Sequence, residues 1–386
     1  MGANIKKKIC FITGTRADYG ILCPVMKAVQ SCPQLSLYVI ATAMHLMKDF
    51  GYTVREIEAD GFKIYDKVNI SYQKDTGEAM AISVGSAITK FSKSFKKLKP
   101  DLIVLLGDRG EMLAAAIAAN YLNIPVAHIH GGEISGHIDG MLRHAITKLS
   151  HLHFPASRGS RRRLLRLGEA PKMVFVAGAP ALDRILNEQL PAEEMLRKKY
   201  KLKKDGQFVL LVQHPVSYES RLAGRQLQIT LQALIGLGLR VIVIYPNADA
   251  GGRQMIKVIR QYQQSSKITA HRNVPHKDYL GLMKIAGALV GNSSSGIIEA
   301  PSLGLPVINI GRRQAGRERG LNVIDVPHDQ KQIARALIQA LYNKNFIRRI
   351  KRAKNPYGSG QAAQHIAKVL SSISLGENLL QKQITY

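Results

Sequence analysis

Ala288-Leu289-Val290-Gly291-Asn292-Ser293-Ser294-Ser295-Gly296-Ile297-Ile298-Glu299-Ala300-Pro301 joins an apolar run to a loop of small, hydroxylated residues, then to a second apolar stretch that Gly304 and Pro306 close. The order predicts a buried strand, a loop and a helix, the repeating unit of an α/β fold. Serines and a glycine at a helix N-terminus offer unpaired backbone N–H groups, hydroxyl donors and the positive end of the helix dipole, which suits a phosphorylated ligand. Glu299, in the first turns of that helix, is close enough to accept a hydrogen bond from a sugar hydroxyl of the same ligand. An ordinary serine N-cap would give the same local pattern, so the stretch has to be weighed with the rest of the chain.

Outward from it, short apolar runs alternate with helical segments almost from end to end. Buried strands are predicted at Ile9 to Thr13, Leu37 to Ala41, Leu102 to Leu106, Pro125 to Ile129, Met173 to Val176, Phe208 to Val212, Val241 to Tyr245 and Val307 to Ile310. Met112 to Tyr121 and Gln226 to Ile235, the latter ended by Gly236, read as helices between them. This is the pattern of α/β domains, doubly wound and Rossmann-like, each a parallel sheet with helices on both faces. Near residues 183–206 the pattern loosens into polar and charged sequence, which divides the chain into an N-terminal domain, 1–182, and a second, 183–360.

The 386 residues carry 55 Lys and Arg against 27 Asp and Glu, a formal charge of +28. Such a field attracts anions. The basic clusters Lys96 to Lys99, Arg158 to Arg166 and Arg348 to Lys354 interleave with apolar residues at helical spacing, as solvated outer faces do. No nucleic-acid motif accompanies them, so no specific nucleic-acid partner is expected; a basic polyanion-binding protein is the non-enzymatic alternative. No apolar window is long enough to insert in a membrane. The N-terminus reads as a first strand rather than a signal peptide. Cys10, Cys23 and Cys32, odd in number and without metal-type spacing, point to a reducing cytoplasm and no disulfides.

In doubly wound sheets ligands bind beyond the carboxyl ends of the strands. There the chain has Gly14-Thr15-Arg16-Ala17-Asp18, Gly107-Asp108-Arg109 and His130-Gly131-Gly132-Glu133. The second half adds Gln213-His214-Pro215, Pro246-Asn247-Ala248-Asp249, the Ser293 loop and Gly311-Arg312-Arg313. A capped turn explains any one of them; together they imply one site in the cleft between the domains. Arg16 and Arg313, with the Ser293 loop, would neutralise a diphosphate. Asp108, Glu133 and Asp139 supply carboxylates, and neighbouring carboxylates push one another's pKa apart. His214 can be charged or neutral near pH 7. Acid and base facing a good leaving group equip a site for elimination or glycosidic cleavage.

Several motifs together carry a family resemblance: Gly14 to Tyr19, Leu106 to Arg109, His130 to Glu133, Arg143-His144-Ala145-Ile146-Thr147-Lys148, Gln213 to Pro215, Pro246 to Gly251, Gly291 to Gly296 and Asn355-Pro356-Tyr357-Gly358. In this order the chain resembles the hydrolysing UDP-N-acetylglucosamine 2-epimerases of bacterial sialic- and legionaminic-acid pathways. The resemblance implies a two-domain fold like that of B-type (GT-B) glycosyltransferases, with a C-terminal helix, about 361–386, returning to the first domain. It implies anti-elimination of UDP across C1 and C2 of the sugar to a glycal, then hydration with inversion at C2, giving UDP and the free 2-epimer without cofactor or metal. A homodimer or homotetramer is implied as well.

By position, Arg16, Ser293, Ser294 and Arg313 resemble diphosphate ligands, Glu299 a ribose ligand, and the backbone at Val274 a uracil contact. Arg109, Arg143, His144 and Asn247 fall in motifs expected to bind substrate. Asp108 and Asp139 match carboxylates of proton transfer, and His214 a histidine near the leaving diphosphate. Several relatives have glutamate where this chain has His130, so the C2 base is His130 or Glu133, unassigned between them. His128-x-His130, with Glu133 following, is also the sequence of a metal-hydrolase candidate, since period 2 puts both rings on one strand face. A non-hydrolysing 2-epimerase or a glycosyltransferase of the same architecture would share the nucleotide half of the site.

Overall fold

A computed structural model describes residues 6–70, 76–134, 139–247 and 249–385, the Asp139 side chain excepted. Strands β1 (Lys7–Thr13), β2 (Leu35–Thr42), β3 (Ile64–Val68), β4 (Leu102–Leu106), β5 (Val126–Ile129) and β6 (Leu152–Phe154) form one sheet, ordered β3-β2-β1-β4-β5-β6. Strands β7 (Phe208–Val212), β8 (Arg240–Ile244), β9 (Ile268–His271), β10 (Ala288–Gly291), β11 (Val307–Ile310) and β12 (Val323–Val326) form another, ordered β12-β11-β10-β7-β8-β9. Every pairing is parallel. Counted from its own first strand, each sheet has the doubly wound order 3-2-1-4-5-6, so the chain is two Rossmann-like domains.

Each central strand is apolar throughout because helices cover both faces; Leu102 to Leu106 and Phe208 to Val212 are buried at every position. On one face of the first sheet the helices Arg16–Gln30 and Ala362–Ser372 share a core with Phe11, Val39 and Val104. On the other, Gly77–Leu98 and Gly110–Tyr121 pack on Cys10, Ile40 and Ile103. The Ala362–Ser372 helix starts where the Asp183 carboxylate accepts from the N–H groups of Ala362 (3.0 Å) and Ala363 (2.8 Å), a cap supplied from distant sequence.

Three sequence expectations change. Met173 to Val176 is not a strand: Pro171–Met173 forms a 3-10 turn, and Val174 makes a single bridge to His153. The sixth strand is Leu152–Phe154, which carries His153. Gly236 is the last residue of its helix, and Gly238, at φ +71°, takes the left-handed position beyond the end. The predicted Ser293 helix is shorter than its sequence suggests. One α turn, Ser295–Ile298, runs into a 3-10 turn, Ala300–Leu303, and Ser294 makes no capping bond. The helix-dipole contribution there is correspondingly small.

The chain leaves the first domain near Gly178 and returns past Gly358. The two passages touch: Ala179 N–H donates to Tyr357 O at 2.8 Å, and a Cβ on Gly358 would lie 3.2 Å from Gly178 Cα.

Candidate active site

The reversal of strand order lies between β1 and β4 in one domain and between β7 and β10 in the other, and the polar turns follow those strands. In the first domain, Thr15 and Asp18 form a capping box: Asp18 N–H donates to Thr15 Oγ1 (3.2 Å), and Thr15 N–H to Asp18 Oδ2 (2.9 Å). Asp18 is thus a structural member of its motif, and Arg16 is the residue the cap presents. Arg16 opens its helix half-buried, with burial lowering its pKa and Glu56, Tyr279 and Tyr200 partly offsetting that. The last two belong to the second domain, so groups of both domains act on Arg16.

Asp108 pairs with the buried Arg143 guanidinium. Arg143 also donates to Glu133 O at 2.9 Å, so one side chain from the Asp139–Lys148 helix joins the turns after β4 and β5. Burial lowers the Arg143 pKa well below its usual value, and Arg317, Arg313 and Arg163 add to that by repulsion. His130 sits at φ +65°, which turns it out of the strand alternation. Its Nδ1 is 3.5 Å from Glu133 Oε1. Burial lowers its pKa, with Glu133 partly offsetting, so the ring is neutral near pH 7. His144 shares this corner; burial and then Arg143 depress its pKa. Asp139 begins the helix, but its side chain, like all of His137, lies outside the described residues.

In the second domain Asn292, absent from the expected set, is the organiser. Its side chain accepts from His214 N–H (2.7 Å) and donates to His214 O (2.9 Å), while its own carbonyl accepts from Arg313 (3.3 Å) and Gln314 (2.8 Å). Asn247 N–H donates to His214 Nδ1 at 3.2 Å, which leaves the neutral ring's proton on Nε2. Ser293 Oγ is 2.9 Å from Ser295 Oγ, which bonds Tyr279 OH at 2.5 Å. Glu299 is 5 % exposed, 3.9 Å from His276 Nε2. Val274 is fully buried in the apolar layer behind the second sheet.

Further residues bridge the cleft. Arg109 faces Asp249 at 3.8 Å, and Asn273 Nδ2 donates to Glu56 at 2.6 Å. Arg317, also missed, pairs with Glu133 Oε2 at 2.8 Å and donates to Ile134 O at 3.2 Å. Arg163 was expected on a solvated face; instead it donates to Gly132 O at 2.5 Å and approaches Glu318 of the second domain. The signal for Arg317 was available: four arginines, 312, 313, 317 and 319, crowd one loop after a buried strand.

The His128-x-His130 reading fails on geometry. His128 Nε2 bonds Gly107 O (2.7 Å) and Nδ1 meets Thr147 Oγ1 (3.2 Å), so both nitrogens are engaged, and His130 has left the strand face. No cluster of three or more potential ligands able to hold a metal occurs among the described residues. No helix among them is long and apolar enough to cross a membrane.

The buried histidines set an acid limit on stability. Burial holds His45 and His128 at about 3 and His151 at about 4, against an ordinary 6.5. Burial raises Asp18 and Asp183 to about 6. Near pH 5 the unfolded chain binds roughly three protons on these histidines that the fold excludes, and the fold binds roughly two on the aspartates. His130, His144, His153, His271 and His276 are lowered too, so the unfolded state holds the excess. Stability should fall on acidification from pH 6.5 to 4.5, by about 1 kcal/mol per pH unit or more. Urea midpoints that are flat or rise towards pH 4.5 would contradict this.

Two Rossmann-like domains whose polar strand-end turns meet at one cleft define an α/β fold of the interdomain-cleft class. The chain belongs to the UDP-N-acetylglucosamine 2-epimerase family, whose pattern it matches over residues 27–371. It is 40 % identical over 380 residues to the UDP-N,N'-diacetylbacillosamine 2-epimerase (hydrolyzing) of Legionella pneumophila, covering 98 % of this chain and 100 % of that one. It is 36 % identical over 334 residues to the UDP-N-acetylglucosamine 2-epimerase of Neisseria meningitidis, covering 86 % and 87 %. The fold is similar to that of the UDP co-structure of S. aureus MnaA, with TM-score 0.78, 20 % identity and coverage of 94 % and 96 %.

Proposed function

We propose that this enzyme is a hydrolysing UDP-sugar 2-epimerase. The observation that carries the proposal is that Arg143, which holds the Asp108 carboxylate, lies in the field of Arg313 and Arg317 from the second domain, Arg317 pairing with Glu133 across the cleft. Arg143, Arg163, Arg313 and Arg317 outnumber the nearby Asp108, Glu133 and Glu318, an excess of positive charge that suits a bound diphosphate. In this reading Arg16, Ser293, Ser294 and Arg313 hold the diphosphate, Glu299 the ribose, and the Val274 backbone the base. Arg109, Asn247 and His144 line the sugar. His214, with its ring proton on Nε2, donates to the leaving diphosphate oxygen.

The chemistry is an anti-elimination. The neutral His130 ring or the Glu133 beside it removes the C2 proton, the C1–O bond breaks, and UDP departs with the electron pair. Water then adds across the glycal, hydroxyl to C1 and a proton to C2 from the opposite face, with Asp108 and Asp139 in the proton-transfer roles. The full-length match to the Legionella enzyme supports the hydrolysing outcome and favours UDP-2,4-diacetamido-2,4,6-trideoxyglucose over UDP-N-acetylglucosamine as substrate, in a cytoplasmic route to sialic- or legionaminic-type acids.

Incubation with each UDP-sugar alone, without acceptor, tests this. Equimolar UDP and free 2-epimer are expected. A UDP-linked epimer with no UDP release would indicate the non-hydrolysing reaction, and no turnover without an acceptor a transferase.

A further inference from the structure

Lys382, near the end of the chain, has its ammonium inserted beneath the helix that carries Arg143. Nζ lies 3.0 Å from Thr147 O, 3.0 Å from Lys148 O, 2.7 Å from Ser150 O and 2.7 Å from Glu169 Oε2. The last carbonyls of a helix have no partner within it, and a cation there also complements the negative end of the dipole. The segment around Lys382 is itself anchored. Leu379 is buried in the first domain's core, and Thr385 N–H donates to Gly168 O at 3.3 Å. Glu169, the counter-charge, is 1 % exposed and also meets His153 Nε2 at 2.8 Å.

From this clamp a continuous set of bonds leads to the acid–base turn. Thr147, whose carbonyl Lys382 binds, presents Oγ1 to His128 Nδ1, and His128 Nε2–H donates to Gly107 O, one residue before Asp108. The same pair supports the second turn: a Cβ on Gly131 would lie 3.0 Å from His128 Nδ1 and 3.2 Å from Thr147 Oγ1. One helical turn before Thr147, Arg143 closes the circuit by binding Asp108 and Glu133 O. The helix is thereby held at its Arg143 face by the cleft and at its C-terminal end by Lys382.

We propose that Lys382 is a positioning residue for the reaction, fixing the Asp139–Lys148 helix so that Arg143 and the Gly107-Asp108 turn keep their geometry. The proposal rests on the epimerase reading of the cleft, but its structural half can be measured without substrate. Lys382→Met keeps the apolar stem and removes the donors. Its kcat should fall about tenfold or more, as misplacement of reacting groups by a fraction of an ångström requires, with UDP affinity within about twofold of wild type because Ser293, Ser294, Glu299 and Arg313 belong to the other domain and Arg16, on the Arg16–Gln30 helix, lies outside this set of bonds. Hydrogen exchange should quicken at residues 107–109 and 143–148 and stay unchanged at 208–212 and 288–291. Thr147→Val should be non-additive with Lys382→Met in kcat.

Unchanged kcat with unchanged exchange would overturn the proposal. So would a fall in kcat matched by loss of UDP affinity and protection throughout, which is mere destabilisation. If Lys382→Met does not fold, Lys382→Gln, which retains N–H donors, should give an intermediate kcat; a wild-type value there also overturns it. A wild-type protein inert towards UDP-sugars, with the predicted exchange pattern in the variant, would remove the epimerase reading and leave the clamp standing.

Discussion

Asp108→Asn should lower kcat by about 10²–10⁴-fold, the range attributed to a positioned acid or base, while UDP still binds. Asparagine matches the shape of aspartate, so the turn after β4 is not forced open, but it cannot carry a proton between substrate and water. It also withdraws the negative charge from Arg143, which is 1 % exposed and has Arg317, Arg313 and Arg163 as electrostatic neighbours. Breaking a buried ion pair from one side costs about 3–5 kcal/mol, so a lower melting temperature should accompany the lost turnover. The two effects separate by measuring rate per folded molecule in the presence of saturating UDP-sugar. A rate within tenfold of wild type would take Asp108 out of the proton-transfer step. Loss of UDP affinity as large as the loss of turnover would mean that the charge serves binding instead.

Gly291→Ala should be the most damaging single-methyl change in the second domain. Gly291 has φ +124°, and a Cβ there would fall 2.2 Å from Val212 O and 3.1 Å from Gln213 N. Val212 is its registered partner on β7, and Asn292 N–H donates to the same carbonyl at 3.1 Å. Neither backbone can yield without separating the two central strands, so strain and clash together should cost about 3 kcal/mol or more. Separation would also unseat Asn292 from His214 and Arg313, so UDP affinity should fall with the melting temperature. Gly85→Ala is the matched control: it lies in the Gly77–Leu98 helix with nothing within 4 Å of the added methyl, and alanine should stabilise it by roughly 0.5–1 kcal/mol. A melting temperature for Gly291→Ala equal to that of wild type would refute the close-approach account.

How much of this was legible in the sequence follows from burial. The central strands are apolar on both faces, and their runs stand out, Leu102 to Leu106 and Phe208 to Val212 above all. The strands the sequence hides, β3, β6, β9 and β12, are the outer strands of the two sheets. In Ile64–Val68 and Val323–Val326 exposed and half-exposed positions mix polar residues into the run, and Leu152–Phe154 is three residues with a histidine at its centre. The turns at the strand ends were readable because glycine and charge cluster there. Asn292 was not, because it acts through the His214 backbone, 78 residues distant; for Arg317 the crowding of arginines was visible, but its partner, Glu133 in the other domain, was not. Asp18 errs the other way, since it stands in a functional motif yet serves to cap the helix that presents Arg16.

The two passages of chain between the domains, hydrogen-bonded at Ala179 and Tyr357, have a mechanical consequence. A domain tethered by one strand can swivel in any direction, whereas one held by two strands fastened side by side turns mainly about the line through them, like a door on paired hinges. Opening the cleft then moves Arg317 away from Glu133, Arg109 from Asp249 and Asn273 from Glu56 in a single concerted swing. On the function proposed above, release of UDP is expected as one cooperative event, slower the more of those bridges must part together.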